Sequence, residues 1–401
     1  MADYLVIGNG VAGTTAAENI RKQDRKGNIT IVTDEDLPFY WRIKLNEYIS
    51  GDVSEEQLLA KKEDWYKDQN ITLKLKTRIV GGDAQKKVVI TQDKEELAYD
   101  SLLISTGSHS FIPPIKGSEK KGVFALRDAQ DARDISLFAK SVEQVILIGG
   151  GLLGLEAGNA LRKLGKTIMV VEFFPRLLPR QLDVDGAERL QKIMEGMGFS
   201  FRLGAKTQEI AGDDKVNCVL LEGGETLSGQ MVVISAGVRP NLELAEPLGL
   251  KTDKGVVVDE RLQTNQPDIY AAGDVAEFKG MPYGIWPAAM EQGKIAGRNM
   301  AGGAATYNGT TMANTLKVVG VDLASAGNID AENEFESKVA TDEDQYKKIV
   351  LENNQIIGCI MLGDTKGFNE ITKMMSEKRD VSQIKDQILS EGFDFKGSSV
   401  T

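Results

Sequence analysis

The chain opens on an unbroken apolar run, Tyr4 to Ile7, followed by Gly8-Asn9-Gly10-Val11-Ala12-Gly13 and then Thr14 to Ile20. A short apolar run bounded by glycines reads as a buried strand, and the small and apolar residues after the turn read as a helix. A second strand, Ile29 to Val32, ends at Thr33-Asp34-Glu35. The pattern recurs further along. Val145 to Ile148 leads into Gly149-Gly150-Gly151-Leu152-Leu153-Gly154, a helix runs through Glu156 to Leu164, and Gly165 ends it. The next strand, Thr167 to Val171, ends at Glu172. Strand, helix and strand in alternation predict an α/β fold built on parallel sheets.

Beyond residue 310 the pattern changes. Strand-like runs lie at Thr315 to Val319, Lys348 to Leu351 and Gln355 to Met361, and Asn353-Asn354 predicts a hairpin turn between the last two. Helices are expected at 369–378 and 381–390. There Ile371, Met374, Met375, Val381, Ile384 and Ile388 fall at helical spacing and would cover a sheet. A membrane-binding face is the weaker reading, because Lys373, Lys378, Arg379 and Lys385 sit among acidic residues.

Composition narrows the chemistry. The 401 residues include two cysteines and one histidine, too few for a disulfide scaffold or a four-thiolate metal site, so any redox chemistry needs an organic cofactor. A net charge of −11 argues against nucleic acid or anionic membrane as a partner. The N-terminus lacks the pattern of a signal peptide and no apolar stretch is long enough to span a bilayer, so the cytoplasm is the expected compartment.

The two glycine clusters are each flanked by a strand and a helix, with an acidic residue near the offset of a dinucleotide fold. Gly8 and Gly149 would permit the tight turn. Gly10 and Gly151 would let backbone approach a pyrophosphate, and Gly13 and Gly154 would let helix and strand pack closely. Asp34, or in second place Glu35, would accept from a ribose hydroxyl in the first unit. Glu172 would do so in the second, favouring NADH over NADPH, although Arg176 lies nearby.

At this point a family resemblance emerges. Leu103-Ile104-Ser105-Thr106-Gly107-Ser108, Ser235-Ala236-Gly237-Val238-Arg239-Pro240-Asn241 and Thr264 to Asp274 stand in order beside the two fingerprints. Together they resemble the FAD- and NAD-dependent pyridine nucleotide-disulfide oxidoreductases, with two dinucleotide-binding domains, over residues 1 to about 310. Leu37 to Arg42, Leu45 to Gly51 and Pro175 to Asp183 are most similar to NADH:rubredoxin oxidoreductases and the flavoprotein module of nitrite reductase large subunits. The resemblance implies two Rossmann-like domains and a C-terminal α+β interface domain. Residues 1–110 and 235–310 would bind FAD, 111–234 would bind NAD(H), with Pro113-Pro114 at the entry, and 311–401 would meet a second subunit or the electron acceptor.

The resemblance also implies site residues. Thr106, Gly107, Gly237 and Gly273 would lie by the cofactors, and Asp274 would accept from the ribityl chain. Ala288 and Ala289 begin a helix aimed at the flavin ring, and Arg42 would pair with a flavin phosphate. Glu156 would lie near the nicotinamide amide, or would simply be a carboxylate favoured at a helix N-terminus. Family members often have proline where Ile43 stands, and redoxin-reducing relatives often carry a lysine near the position of Glu47. Lys44 is the candidate substitute. Core packing is expected for Trp41 and a structural place for His109.

Disulfide reductases of this superfamily carry cysteine in the helix after the first fingerprint, and residues 36–51 here contain none. Cys218 and Cys359 lie in apolar runs and read as buried. The function implied is transfer of electrons from NADH through FAD to a small redox protein such as rubredoxin. The alternatives are an electron-transfer subunit of a metalloenzyme, including one that reduces NAD⁺, a nitrite reductase flavoprotein component, and an NADH:quinone reductase.

Overall fold

The computed structural model describes residues 1–310, 313–342, 345–390 and 392–395. It divides into two compact units. The first comprises Met1–Phe111, Arg127–Ala129 and Val238–Thr311, and the second Ile112–Leu126, Gln130–Gly237 and Met312–Thr401. No helix among the described residues is long and apolar enough to cross a membrane.

The first unit is built on a five-stranded parallel sheet. Across it lie Ile269–Ala271, Ser101–Ile104, Asp3–Ile7, Asn28–Val32 and Ile71–Lys74. Asp3–Ile7 is central, and its residues from Tyr4 to Ile7 are buried, which is why it reads as a continuous apolar run. The chain leaves it through Gly8 into the helix Val11–Gln23. That helix packs on Trp286–Met300 with almost no side chain between them. A Cβ placed on Gly293 would lie 2.3 Å from Ala12 O, and one on Gly297 2.3 Å from Ala16 O. Two glycines one turn apart on one helix thus face two alanines one turn apart on the other.

The second unit repeats this design. Its parallel sheet runs Val123–Phe124, Met231–Ile234, Gln144–Ile148, Thr167–Glu172 and Phe199–Leu203. The helix Leu152–Lys163 follows the central strand. A separate antiparallel sheet carries Ala313–Val318, Val321–Gly327, Gln355–Leu362, Tyr346–Glu352 and Glu336–Thr341, in that order. Asn353 and Asn354 both take positive φ, 51° and 59°, and make the tight turn between Tyr346–Glu352 and Gln355–Leu362. Phe368, Ile371 and Met374 of the helix Phe368–Ser376 cover this sheet against Ile349, Cys359 and Met361.

The second expected C-terminal helix, 381–390, is not one. Val381 to Ser390 form successive turns, with Lys385 N–H donating to Val381 O and Ile388 N–H to Ile384 O, and no continuous ladder between them. Val381 and Ile388 are still buried, so isolated turns meet the spacing that seemed to require a helix. The other helix occupies Phe368–Ser376 rather than 369–378.

A buried ion pair holds this part of the second unit. Lys348, 1% exposed, donates to Asp183 Oδ2 at 3.1 Å and to Asp330 O at 3.0 Å. Asp183 also caps the helix Val184–Gly196 through Gly186 N and accepts from Tyr346 OH at 2.6 Å. Removing one member strands the other charge away from water. Lys348→Ala is expected to cost about 3–5 kcal/mol in urea unfolding, most of it recovered in Asp183→Asn/Lys348→Met. Gly297→Val, which drives a branched side chain into the backbone of the facing helix, is expected to cost about 1–3 kcal/mol or more in the same measurement.

Candidate functional site: two dinucleotide turns

The two glycine turns make matching backbone contacts. Gly8 N–H donates to Val32 O and Gly149 N–H to Val171 O, both at 2.8 Å. Gly8 and Gly149 take φ of +106° and +117°, and a Cβ on either would strike the carbonyl of Ser105 or Ser235. Only glycine fits there. A Cβ on Gly13 or Gly154 would strike the carbonyl of Gly8 or Gly149. Gly10 and Gly151 differ: nothing of the protein lies within 4 Å of a Cβ there. They are the N-caps of their helices, with no capping side chain and no acid in the first turn. Two other helices do carry side-chain caps, a capping box at Ser54 and Asp183. Open glycine, unpartnered N–H groups and a positive helix end together fit the pyrophosphate of a dinucleotide.

In the first unit a polar chain gathers around the turn. Asp274 Oδ2 accepts from Ser108 Oγ at 2.9 Å and from Arg127 at 2.8 Å. Arg127 also donates to Ser108 O and Ser108 Oγ. Asn241 ties down the neighbouring loop, donating to Thr106 O and accepting from Thr106 Oγ1, while its N–H reaches Gly107 O. Gly273 has φ +84°, and a Cβ there would lie 3.0 Å from the Cβ of Ala12 and 3.8 Å from that of Ala289. Its N–H donates to the buried Gln292 Oε1 at 2.8 Å. The helix carrying Ala288 and Ala289 starts without a capping side chain. Thus Gly8, Gly107, Gly273, Asp274 and Ala289 converge within one unit.

Arg42 is held by partners within the protein. Its guanidinium pairs with Glu35 and donates to Tyr40 OH and to Arg127 O. Burial works against its charge, but Glu35 and Tyr40 beside it keep it above the ordinary arginine value. Tyr40 is buried, which pushes its phenol up, and it donates to Glu35 at 2.5 Å. Both Glu35 oxygens are therefore taken within the protein, and Asp34 is exposed. Because Val32 matches Val171, the strand-tip position occupied by Glu172 in the second unit belongs to Thr33 in the first, and neither expected acid stands there. Lys44 is half-buried and makes no ion pair among the described residues. Trp41 is half-buried rather than in the core and stacks on Trp286 at 5.3 Å. His109 lies in an exposed strand position, with Nδ1 2.7 Å from Asn241 Oδ1.

In the second unit Glu172 is buried. It accepts from Gly150 N at 2.5 Å and from Phe174 N at 2.8 Å. Arg176 folds back on its own segment, donating to Leu182 O and Pro179 O. Glu156 accepts from Val319 N at 2.6 Å, in the turn between two strands of the C-terminal sheet. Gly237 has φ +98° and open space beside it. Arg127 and Gln292 were missed by sequence reasoning. Arg127 lies 19 residues from Ser108 in no motif. Gln292 is one turn beyond Ala288, and its position on the same helix face was the available signal.

The family pattern described as "Pyridine nucleotide-disulphide oxidoreductase" matches residues 2–293, and that of the "Rubredoxin NAD+ reductase C-terminal domain" matches 313–379. The chain belongs to the pyridine nucleotide-disulphide oxidoreductase family. It is 36% identical to a nitrite reductase (NAD(P)H) of Bacillus subtilis, over 99% of this chain and 50% of that protein. An NADH-rubredoxin oxidoreductase of Clostridium acetobutylicum is 31% identical over 95% of this chain and 96% of the relative. The crystal structure of the NADH:rubredoxin oxidoreductase from that organism superposes with a TM-score of 0.84 at 28% identity, covering 96% of this chain and 98% of that one. The chain spans about half the length of the nitrite reductase it matches. The cofactors of this family are FAD and NAD(H), and both turns fit a dinucleotide.

Because Asp274, Ser108 and Arg127 share one set of hydrogen bonds, Asp274→Ala and Arg127→Ala are each expected to weaken flavin retention about tenfold or more. The double variant should lose much less than the product of the two, as measured by flavin fluorescence during dialysis.

Proposed function

We propose that this chain is an NADH-dependent FAD oxidoreductase that passes electrons from NADH, through FAD, to a small redox protein such as rubredoxin or to a partner redox subunit. One combination carries the reading: two open dinucleotide turns and no cysteine in residues 36–51. The remaining cysteines do not replace it. Cys359 is buried, and burial pushes its thiol up to about 12, so it is not a thiolate at neutral pH. Cys218 lies in the strand Cys218–Leu221, outside the fingerprint helices.

FAD supplies hydride acceptance from NADH and release of electrons onward; the protein supplies position and field. In the first unit Asp274, whose Oδ2 is fixed by Ser108 and Arg127, offers its other oxygen to a ribityl hydroxyl. The uncapped start of Trp286–Met300 would turn its positive dipole end toward the flavin ring and favour negative charge there. Arg42, kept cationic by Glu35, contributes to the field at the phosphates, and Lys44 is the candidate cation at the flavin's reactive edge. In the second unit Glu172 accepts from a ribose hydroxyl and repels a 2′-phosphate, which selects NADH. Glu156 holds the 318–320 turn, and its carboxylate is the candidate group beside the nicotinamide amide. The cytoplasm is the compartment this chemistry suits.

A second reading has its own support. The nitrite reductase similarity covers nearly all of this chain, so the same flavin unit would serve as the electron-transfer module of a metalloenzyme.

Anaerobic stopped-flow mixing with NADH is expected to bleach the flavin absorbance, and subsequent rubredoxin to restore it. The Cys218→Ser/Cys359→Ala variant should keep both rates within about twofold, whereas a thiol mechanism would lose the second. A flavin inert to NADH overturns the proposal. Capture from native cells of a stoichiometric metalloprotein partner would favour the second reading.

A further inference from the structure

The two fingerprint turns, alike in their glycine positions, differ at one pair of facing positions. Asn9 corresponds to Gly150 in the turn, and Thr33 to Glu172 at the strand tip. In the second unit these positions point at each other: a Cβ built on Gly150 would lie 3.2 Å from both the Cβ and Oε2 of Glu172. The space admits one long side chain. The second unit fills it from the strand with a carboxylate. The first has threonine at the strand tip and carries its longer side chain, the amide of Asn9, on the turn.

The orientation of that amide follows from its partners. Tyr66 OH accepts from Phe39 N at 3.0 Å, so its proton goes to Asn9 Oδ1, also at 3.0 Å. Thr14 Oγ1 donates to the same oxygen at 3.3 Å. Two donors on Oδ1 turn Nδ2 the other way. Asn9 is 8% exposed, and Nδ2 is buried without a partner among the described residues. An amide donor left unpaired inside a protein is costly, and here it sits in a turn that fits a dinucleotide. Of the acids beyond the strand, Asp34 is exposed and Glu35 is held by Arg42 and Tyr40.

We propose that Asn9, through Nδ2, recognises the adenosine ribose of the dinucleotide in the first unit by donating to a ribose hydroxyl oxygen, taking the place that Glu172 holds in the second. The inference rests on the reading of the first unit as the FAD site. Its chemistry fits the division of labour. A carboxylate is needed where NADH must be told from NADPH. FAD offers no 2′-phosphate to reject, so a neutral donor suffices.

The test titrates the full-length chain, stripped of flavin, with FAD and with FAD analogues lacking the 2′- or the 3′-hydroxyl of the adenosine ribose, read by flavin fluorescence. In the wild-type chain one analogue is expected to bind about tenfold more weakly than FAD, the size of one lost hydrogen bond. Asn9→Gly should bind FAD about tenfold more weakly and treat FAD and that analogue alike. Adding Thr33→Glu to Asn9→Gly should rebuild the arrangement of the second unit, restoring both affinity and discrimination. Discrimination is compared within each variant, so a general loosening of the turn does not imitate the result. Asn9→Gly that binds FAD as the wild type does, or that still discriminates between FAD and its analogue, overturns the proposal. A wild-type chain that takes up no FAD overturns the proposed function instead.

Discussion

The first unit depends on a helix contact made almost entirely of backbone. Gly293 and Gly297 let Trp286–Met300 lie against Ala12 and Ala16 at a separation that no larger residue would permit. This packing fixes two helices together, and both begin without a capping side chain. Two sets of free N–H groups, and two positive helix ends, are thereby held close to Gly273 and Asp274. Moving one helix outward by the width of a methyl group would shift one of those ends relative to the other. The site is therefore set by what the interface lacks.

A second constraint is the satisfaction of charge near the turns. Arg127 and Arg42 are not free cations on a surface. Arg127 is bound to Asp274 and Ser108, and Arg42 to Glu35, Tyr40 and the carbonyl of Arg127. Such pairing fixes the side chains before a ligand arrives, so binding costs less side-chain ordering. In the second unit Glu172 is held by Gly150 and Phe174 in the same way. The polar groups of both turns are arranged in advance of the chemistry they serve.

Much of this was legible in the chain. The glycine turns announced themselves because a tight turn, a close carbonyl and a dense helix crossing each exclude a side chain, and sequence records an excluded side chain as glycine. The buried central strands were legible for a related reason: covered on both faces, they lose alternation and become apolar runs. The Asn353-Asn354 hairpin was readable because its positive φ angles favour asparagine. Less was readable where one spacing served two structures. Val381, Ile384 and Ile388 reach the core from successive turns as well as they would from a helix.

What the sequence determined by itself was the two strand–turn–helix units, their nucleotide chemistry and the lack of cysteine in residues 36–51. These follow from local backbone geometry and from residues that are present or missing. What only the tertiary structure decided was which polar groups face one another. Arg127 reaches Asp274 across 147 positions. Thr33 rather than Asp34 occupies the strand tip, because hydrogen-bond register, not distance along the chain, assigns that place. Glu35 turns to Arg42 rather than to an open turn for the same kind of reason. A charged side chain takes the nearest opposite charge in space, and only the folded chain establishes what is near.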